Sequence, residues 1–259
     1  MYITHDVLNG DYIAERLRFP VTVKCFDCVT STSTMLKELV REKECKTTLF
    51  VADSQTAGRG RTGRSFFSPK GSGVYFSLLI AQSSYTAAVG DATMYAAVAA
   101  VRAIKSTFGK DAGIKWVNDV YIGDKKCVGI LTERVFGRDN IPYLIIGIGT
   151  NVYFPDGGFG DLSKIACAVT DKKNENGRND YVIDLLNRFY ALQSEPRESI
   201  INEYASLSIL IGRTVEVIAT GGSYHAVCKR ILSDGNLVVE RADGSEQVLN
   251  SGEVRLKLK

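Results

Sequence analysis

Hydrophobic and polar positions divide the chain into two parts with different periodicities. In the first part, short apolar runs typical of β-strands alternate with longer segments whose apolar positions repeat at helical spacing. The predicted strands cover residues 21–26, 48–53, 74–80, 121–122, 127–133 and 143–151, and the predicted helices cover residues 35–40, 86–107, 181–193 and 197–207. This succession predicts an α+β unit in which helices pack on a sheet.

From residue 210 onward the pattern changes to short strands separated by turns. The strands cover residues 213–219, 223–232, 237–240, 246–249 and 254–258, and the turns between them are rich in Gly, Asp and Asn. This pattern predicts a five-stranded barrel of roughly 50 residues, which is near the lower limit for a domain. We therefore expect two domains, residues 1–209 and residues 210–259.

The composition is that of an ordinary soluble globular protein, with 45% hydrophobic and 24% charged residues. The net charge of +3 is too small to indicate a nucleic-acid-binding protein. No apolar stretch reaches membrane-spanning length and the first residues lack a signal-peptide pattern, so we expect a cytoplasmic protein without membrane contact. The six cysteines are scattered and the two histidines are distant, which argues against a zinc site and against Ser-His-Asp catalysis.

A loop rich in glycine and arginine follows the second predicted strand. Residues 58–64, the glycine–arginine loop, hold three glycines and three arginines. Glycine lets the backbone approach a ligand closely, and arginine offers a fork of donors for carboxylate or phosphate. The glycine spacing matches a dinucleotide-binding fingerprint, but that motif must open a helix, and Pro69 forbids one here. The loop is interpreted as a cationic cover for an anion, with a flexible basic surface loop as the alternative.

Four further polar residues, Lys115, Asn118, Asp119 and Lys126, lie close together in sequence around a predicted hairpin turn. Asparagine and aspartate offer the oxygen ligands that Mg²⁺ prefers, and lysine offers a point charge for phosphate or carboxylate. The alternative is ordinary turn chemistry, because Asn-Asp and Gly-Asp pairs are common in turns.

Two more segments place polar groups beside backbone that a ligand can approach. Ser31, Thr32 and Ser33 precede a predicted helix, where hydroxyls either cap the helix or join its free N–H groups in binding a polar head group. Asn151 ends the run 143–151, whose unbroken apolar character indicates a strand buried on both faces.

Taken in this order, the segments resemble the biotin protein ligase family over nearly the whole chain. The family's glycine–arginine motif stands here as Gly-Arg-Gly-Arg-Thr-Gly-Arg-Ser-Phe-Phe-Ser-Pro-Lys-Gly, its Lys-Trp-Pro-Asn-Asp motif as residues 115–119, its Lys-x-x-Gly-Ile-Leu segment as residues 126–131, and its Gly-Ile-Gly-Ile-Asn strand end as residues 147–151. Phe66 for Trp, Val117 for Pro and Thr150 for Ile are the departures, and they leave the charged residues and the glycines in place.

The resemblance implies a mixed β-sheet catalytic domain of the class II synthetase and lipoate-ligase type, followed by a small C-terminal SH3-like β-barrel. It also implies a two-step reaction. Biotin is activated by ATP as biotinyl-5′-adenylate, with release of pyrophosphate, and a lysine of a biotin carboxyl carrier domain then takes the biotinyl group. Magnesium is expected to accompany ATP.

The roles of individual residues carry over by motif. Biotin would be bound by Ser31, Thr32, Ser33, Gln55, Arg59, Gly60, Arg61 and Lys126, of which Lys126, Arg59 and Arg61 would be catalytic. ATP would be bound by Lys115, Asn118, Asp119, Asn151 and Arg255, with Asn118 and Asp119 also serving as magnesium ligands.

The resemblance leaves some properties open. Some family members carry an N-terminal winged helix-turn-helix, but only about 20 residues precede the first predicted strand here, so we expect a ligase that does not bind DNA. A homodimer is left open. The rival functions are a lipoate–protein ligase, which shares the fold and the adenylation chemistry, and a non-catalytic nucleic-acid-binding protein, a function that some small barrels serve.

Overall fold

The computed structural model describes residues 6–42, 44–81, 89–219, 222–250 and 252–256. Its α-helices are α1 (Gly10–Arg16), α2 (Thr32–Glu42), α3 (Val89–Phe108), α4 (Gly177–Leu192) and α5 (Arg197–Ser206). Its strands are β1 (Thr22–Phe26), β2 (Thr48–Ala52), β3 (Gly73–Ala81), β4 (Gly113–Lys115), β5 (Asp119–Ile122), β6 (Lys125–Phe136), β7 (Pro142–Asn151), β8 (Thr214–Ala219), β9 (Gly222–Ile231), β10 (Leu237–Arg241), β11 (Glu246–Leu249) and β12 (Glu253–Leu256). Parts of two predicted elements, residues 86–88 and 257–258, lie outside the described residues.

The first seven strands form one mixed sheet in the order β1-β2-β3-β7-β6-β5-β4. Strands β1 and β2 are parallel, and every other neighbouring pair is antiparallel. The alanine-rich helix α3 is buried along most of its length and packs against α4 and β6, because its small side chains allow close approach. The predicted α+β class, with a mixed sheet covered by helices, is confirmed.

Helix α4 begins at Gly177, whereas the apolar periodicity predicts a helix only from residue 181. The reason is that two polar residues of its first turn are buried by partners from distant segments. Arg178 forms ion pairs with Asp6 and Asp53. Asn179 accepts a hydrogen bond from the backbone N–H of Asn9 (2.9 Å). The apolar pattern therefore missed the start of this helix, because the buried residues of its first turn are polar.

The last five strands form a second sheet in the order β11-β10-β9-β8-β12, as the turn pattern predicts. This sheet packs against the first part of the chain. The Trp116 indole N–H donates to the carbonyl oxygen of Gly235 at 2.9 Å, and that glycine lies against Met94 of α3. The apolar core is continuous across the contact, so the division of the chain at residue 210 stays a prediction.

None of the helices in the described part of the chain combines the length and the apolar character needed to cross a membrane.

Candidate active site

Two neighbouring clefts open on one face of the mixed sheet, and they share Phe66 and Lys126 as a common wall. The smaller cleft has a volume of about 50 Å³ and the larger about 880 Å³. The smaller is lined by Ser31, Thr32, Ser33, Gln55, Arg59, Gly60, Arg61 and Lys126, together with Asn118. The larger is lined by Lys115, Asp119, Lys126, Asn151 and Arg255. The structure thus brings every candidate site residue of the sequence to one of two adjoining spaces.

The smaller cleft is floored by the start of α2. The Thr32 N–H donates to Gln55 Oε1 at 2.9 Å, and the Thr32 hydroxyl lies 2.8 Å from Ser77 Oγ. The Ser33 hydroxyl donates to Glu133, whose other oxygen accepts from Lys37 at 2.6 Å. The floor is therefore a preorganised set of buried hydroxyls and amides at a helix N-terminus, which suits a polar head group.

The glycine–arginine loop closes on itself above this floor. The Gly60 N–H donates to the Arg64 carbonyl at 2.7 Å, and the loop contains a short 3₁₀ turn but no α-helix, as Pro69 requires. The Arg61 guanidinium donates to Asn118 Oδ1 at 3.0 Å. Arg59 is exposed at the edge of the smaller cleft. These cations lie where a negative charge in the smaller cleft would meet them.

The ring of Phe66 rests on a flat patch made by two glycines. Gly129 of β6 and Gly149 of β7 lie opposite each other on these two neighbouring strands. A β-carbon added to Gly149 would lie 2.5 Å from the Phe66 ring, and one added to Gly129 would lie 2.9 Å from it. Lys126 Nζ is 5.7 Å from the ring centroid. Because these two glycines have no side chains, the Phe66 ring, which forms part of the wall between the clefts, can lie directly on the sheet.

Lys126 forms an ion pair with Asp119, with Nζ 2.7 Å from Oδ1. Both side chains are partly exposed, at 30% and 18%, so the ammonium can still reach a ligand in either cleft. The backbone N–H of Lys126 donates to the carbonyl of Ile165, and the Lys126 carbonyl accepts from the backbone N–H of Cys167. The residue is held by its backbone on both sides while its charged end faces the junction of the clefts.

A pair of thiols, Cys127 and Cys167, lies directly beside Lys126. Contact with Cys127 lowers the pKa of Cys167. The same contact, together with burial, raises the pKa of Cys127, whose thiol donates to the carbonyl of Val120 at 3.4 Å. This contact was not predicted from the sequence, because 40 positions separate the two cysteines and Cys127 occupies an unspecified position of the Lys-x-x-Gly-Ile-Leu segment.

The predicted magnesium ligands separate in the structure. Asp119 lines the larger cleft, but the side chain of Asn118 is held by Arg61 and by the carbonyl of Ile130, and it faces the smaller cleft. In the described part of the chain no three His, Cys, Asp or Glu residues cluster closely enough to hold a metal ion by themselves. One carboxylate beside an open space fits a Mg²⁺ ion held mainly by phosphate oxygens rather than by a protein cage.

Sequence reasoning assigned no role to Phe66, Ser77, Gly129 and Gly149, which the structure places in the walls of the clefts. A signal was present for the glycines, since small residues that interrupt long apolar strands often mark a close approach of another group. Ser77 carried no such signal, because its position in a buried strand is shared with apolar neighbours.

Comparisons with known proteins point in one direction. The biotin/lipoate A/B protein ligase family matches residues 25–151. The bifunctional ligase/repressor BirA of Bacillus subtilis is 31% identical over 233 residues, covering 87% of this chain and 71% of that protein. A biotin–[acetyl-CoA-carboxylase] ligase of Paracoccus denitrificans is 26% identical, covering 79% of this chain and 88% of its own. The structure of a biotin protein ligase from Aquifex aeolicus in complex with biotin and ATP superposes with a TM-score of 0.75 at 24% identity, covering 92% of this chain and 99% of that one.

Proposed function

The chain belongs to the biotin/lipoate A/B protein ligase family, and we propose that it is an ATP-dependent biotin–protein ligase. A carboxylate oxygen of biotin attacks the α-phosphorus of ATP, and pyrophosphate leaves. The ε-amine of a carrier lysine then attacks the acyl carbon of biotinyl-5′-adenylate, and AMP leaves as the amide forms. The carrier is a biotin carboxyl carrier domain, as in acetyl-CoA carboxylase.

The observation that carries this proposal is the meeting of two clefts at Lys126. The first step brings two anions together, so it needs fixed positive charge where they meet. Lys126 supplies that charge, because its ammonium stands in the wall common to both clefts. Asp119 holds the ammonium in place when no ligand is bound.

The other residues divide between the substrates. The buried hydroxyls at the start of α2 and the Gln55 amide bind the neutral ring end of biotin. Arg59, Gly60 and Arg61 cover its carboxylate. Lys115, Asn151 and Arg255 face the nucleotide in the larger cleft, and Mg²⁺ beside Asp119 would neutralise the polyphosphate. Asn118 acts from the smaller cleft by holding Arg61.

Biotin-dependent exchange of labelled pyrophosphate into ATP tests the proposal. Lys126→Ala should fold normally and lose exchange by about 10²-fold or more, the usual scale for one preorganised donor. Lys125→Ala is the matched control, because that neighbouring lysine is exposed, donates to the Ser163 carbonyl and lines neither cleft. Equal exchange in the two variants would remove Lys126 from the chemistry, and lipoate-dependent exchange that exceeds the biotin-dependent rate would favour the lipoate ligase.

Finer properties are part of the same proposal. Exchange should stop when EDTA removes Mg²⁺ and return when the ion is restored. A gel shift with operator-like DNA should show no specific complex. Biotinylation of the carrier domain should take place in the cytoplasm. A homodimer is tested by light scattering with and without biotin and ATP.

A further inference from the structure

A buried serine outside both clefts connects the smaller cleft to the base of the glycine–arginine loop. Ser68 is only 5% exposed and lines neither cleft. Its hydroxyl donates to the carbonyl of Phe66 at 2.9 Å and accepts from Gln55 Nε2 at 3.2 Å. The backbone of the same two segments is also joined, because the Gln55 N–H donates to the Ser68 carbonyl at 3.1 Å.

The directions of these hydrogen bonds are fixed by the chemistry of the groups. The hydroxyl of Ser68 has one hydrogen, and the carbonyl of Phe66 can only accept it. The Ser68 oxygen must therefore accept from the Gln55 side chain, so the nitrogen of that amide faces Ser68. At the other end, the Thr32 backbone N–H can only donate, so it requires the amide oxygen. Both ends of the Gln55 amide are thereby oriented.

This orientation determines which group of the Gln55 amide, an N–H or the oxygen, faces a ligand in the smaller cleft. A primary amide has two N–H groups, and Ser68 takes one of them. No group in the described part of the chain takes the second, and Gln55 lines the smaller cleft. The amide is thus set to donate one hydrogen bond into the cleft. Without Ser68 the Thr32 N–H still holds the amide oxygen, but the amide nitrogen loses the acceptor that fixes the direction of its N–H groups.

An independent observation shows how tightly the three groups converge. A β-carbon added to Gly58 would lie 2.4 Å from the Phe66 carbonyl oxygen, 2.6 Å from Ser68 Oγ and 3.1 Å from Gln55 Nε2. Gly58 is buried, and its carbonyl accepts from the Phe66 N–H at 2.9 Å. Because Gly58, the first glycine of the loop, has no side chain, it leaves the space in which these hydrogen bonds form.

We propose that Ser68 is a positioning residue that orients the Gln55 amide as a hydrogen-bond donor to the ligand of the smaller cleft and couples that contact to the base of the glycine–arginine loop. The inference rests on the proposed function, in which that ligand is the ring end of biotin. Ser68 itself touches no substrate, and it acts through Gln55.

Steady-state exchange and calorimetric biotin binding test this on the full chain. Ser68→Ala should raise the KM and the Kd for biotin by about tenfold, the scale of one misoriented hydrogen bond, while the KM for ATP stays unchanged. Ser72→Ala is the matched control. That serine is 4% exposed, lies in the same segment and donates to the Pro69 carbonyl, without contacting Gln55. It should bind biotin like the wild type.

A double-mutant cycle separates positioning from general loss of structure. If Ser68 acts through Gln55, Ser68→Ala should cost almost nothing in a Gln55→Ala background. An undiminished loss in that background, or equal losses from Ser68→Ala and Ser72→Ala, would overturn the proposal. Should Ser68→Ala not fold, Ser68→Cys keeps the shape with a much weaker donor and should shift biotin binding in the same direction. A wild-type enzyme without biotin-dependent exchange would instead reject the proposed function, so the two failures are distinguishable.

Discussion

The contact of Phe66 with the glycine pair makes a quantitative prediction about Gly149→Ala. The new β-carbon would lie 2.5 Å from a ring carbon of Phe66. Carbon atoms pack best at about 3.5–4.0 Å, so the ring must move by at least about 1 Å. Overpacking of this kind costs about 1–3 kcal/mol, and the lower chain entropy of alanine offsets about 0.5–1 kcal/mol of that.

Gly147→Ala is the matched control. It lies two positions earlier on the same strand, and its added β-carbon would come no closer than 3.4 Å to Ser77 Oγ. This variant should keep the entropic gain without the clash. The free energy of unfolding, measured by urea denaturation, should therefore be lower for Gly149→Ala than for Gly147→Ala by about 1–3 kcal/mol.

Removing the ring identifies the source of the penalty. In a Phe66→Ala background, Gly149→Ala should become as favourable as Gly147→Ala, because nothing remains for the β-carbon to displace. If Gly149→Ala stays equally costly without the ring, the aromatic wall is not what the glycine accommodates, and the reasoning fails.

Three further results are expected. Cys127→Ala removes the thiol contact that lowers the pKa of Cys167, so the pKa of Cys167 should rise. Its thiolate fraction near neutral pH should then fall and its alkylation by iodoacetamide should slow; an unchanged rate would contradict the effect of the contact. Trp116→Phe leaves the Gly235 carbonyl without its donor and should lower the free energy of unfolding by about 1–3 kcal/mol in urea, whereas no change would mean that water replaces the indole. Amide hydrogens of residues 59–64 should exchange quickly in the free protein, more slowly with biotin and most slowly with the adenylate, because anions draw the arginines in; protection without ligand would make the loop a rigid cradle.

Local pattern was sufficient for most of the fold. The apolar run that became β7 and the alanine-rich run that became α3 each carry a strong single periodicity, and both elements formed where predicted. The start of α4 was missed because the charge of the buried Arg178 is paired with Asp6 and Asp53, which lie more than a hundred residues away in sequence. No local rule anticipates a charge whose partners are so distant.

The candidate site shows the same limit. Sequence grouped Asn118 with Asp119 because they are adjacent, yet neighbouring residues at the start of a strand point in different directions, and the two side chains face different clefts. The role of Ser68 was equally hidden, since it depends on where Gln55 and Phe66 meet. A sequence shows which residues are of a type that binds anions. It does not show the hydrogen bonds that orient the side chains of those residues.

The contact between Trp116 and the turn at Gly235 has a consequence for synthesis on the ribosome. The indole donor and its acceptor are separated by 119 positions. At about 5–20 residues per second, the acceptor is made roughly 6–24 seconds after the donor. During that interval the strand that carries Lys115 lacks its cover, so the nascent chain exposes the Trp116 side chain until the segment around Gly235 emerges. This delay favours an early encounter with chaperones. The larger cleft is complete only when the second sheet has formed, because Arg255 of that sheet is part of its lining.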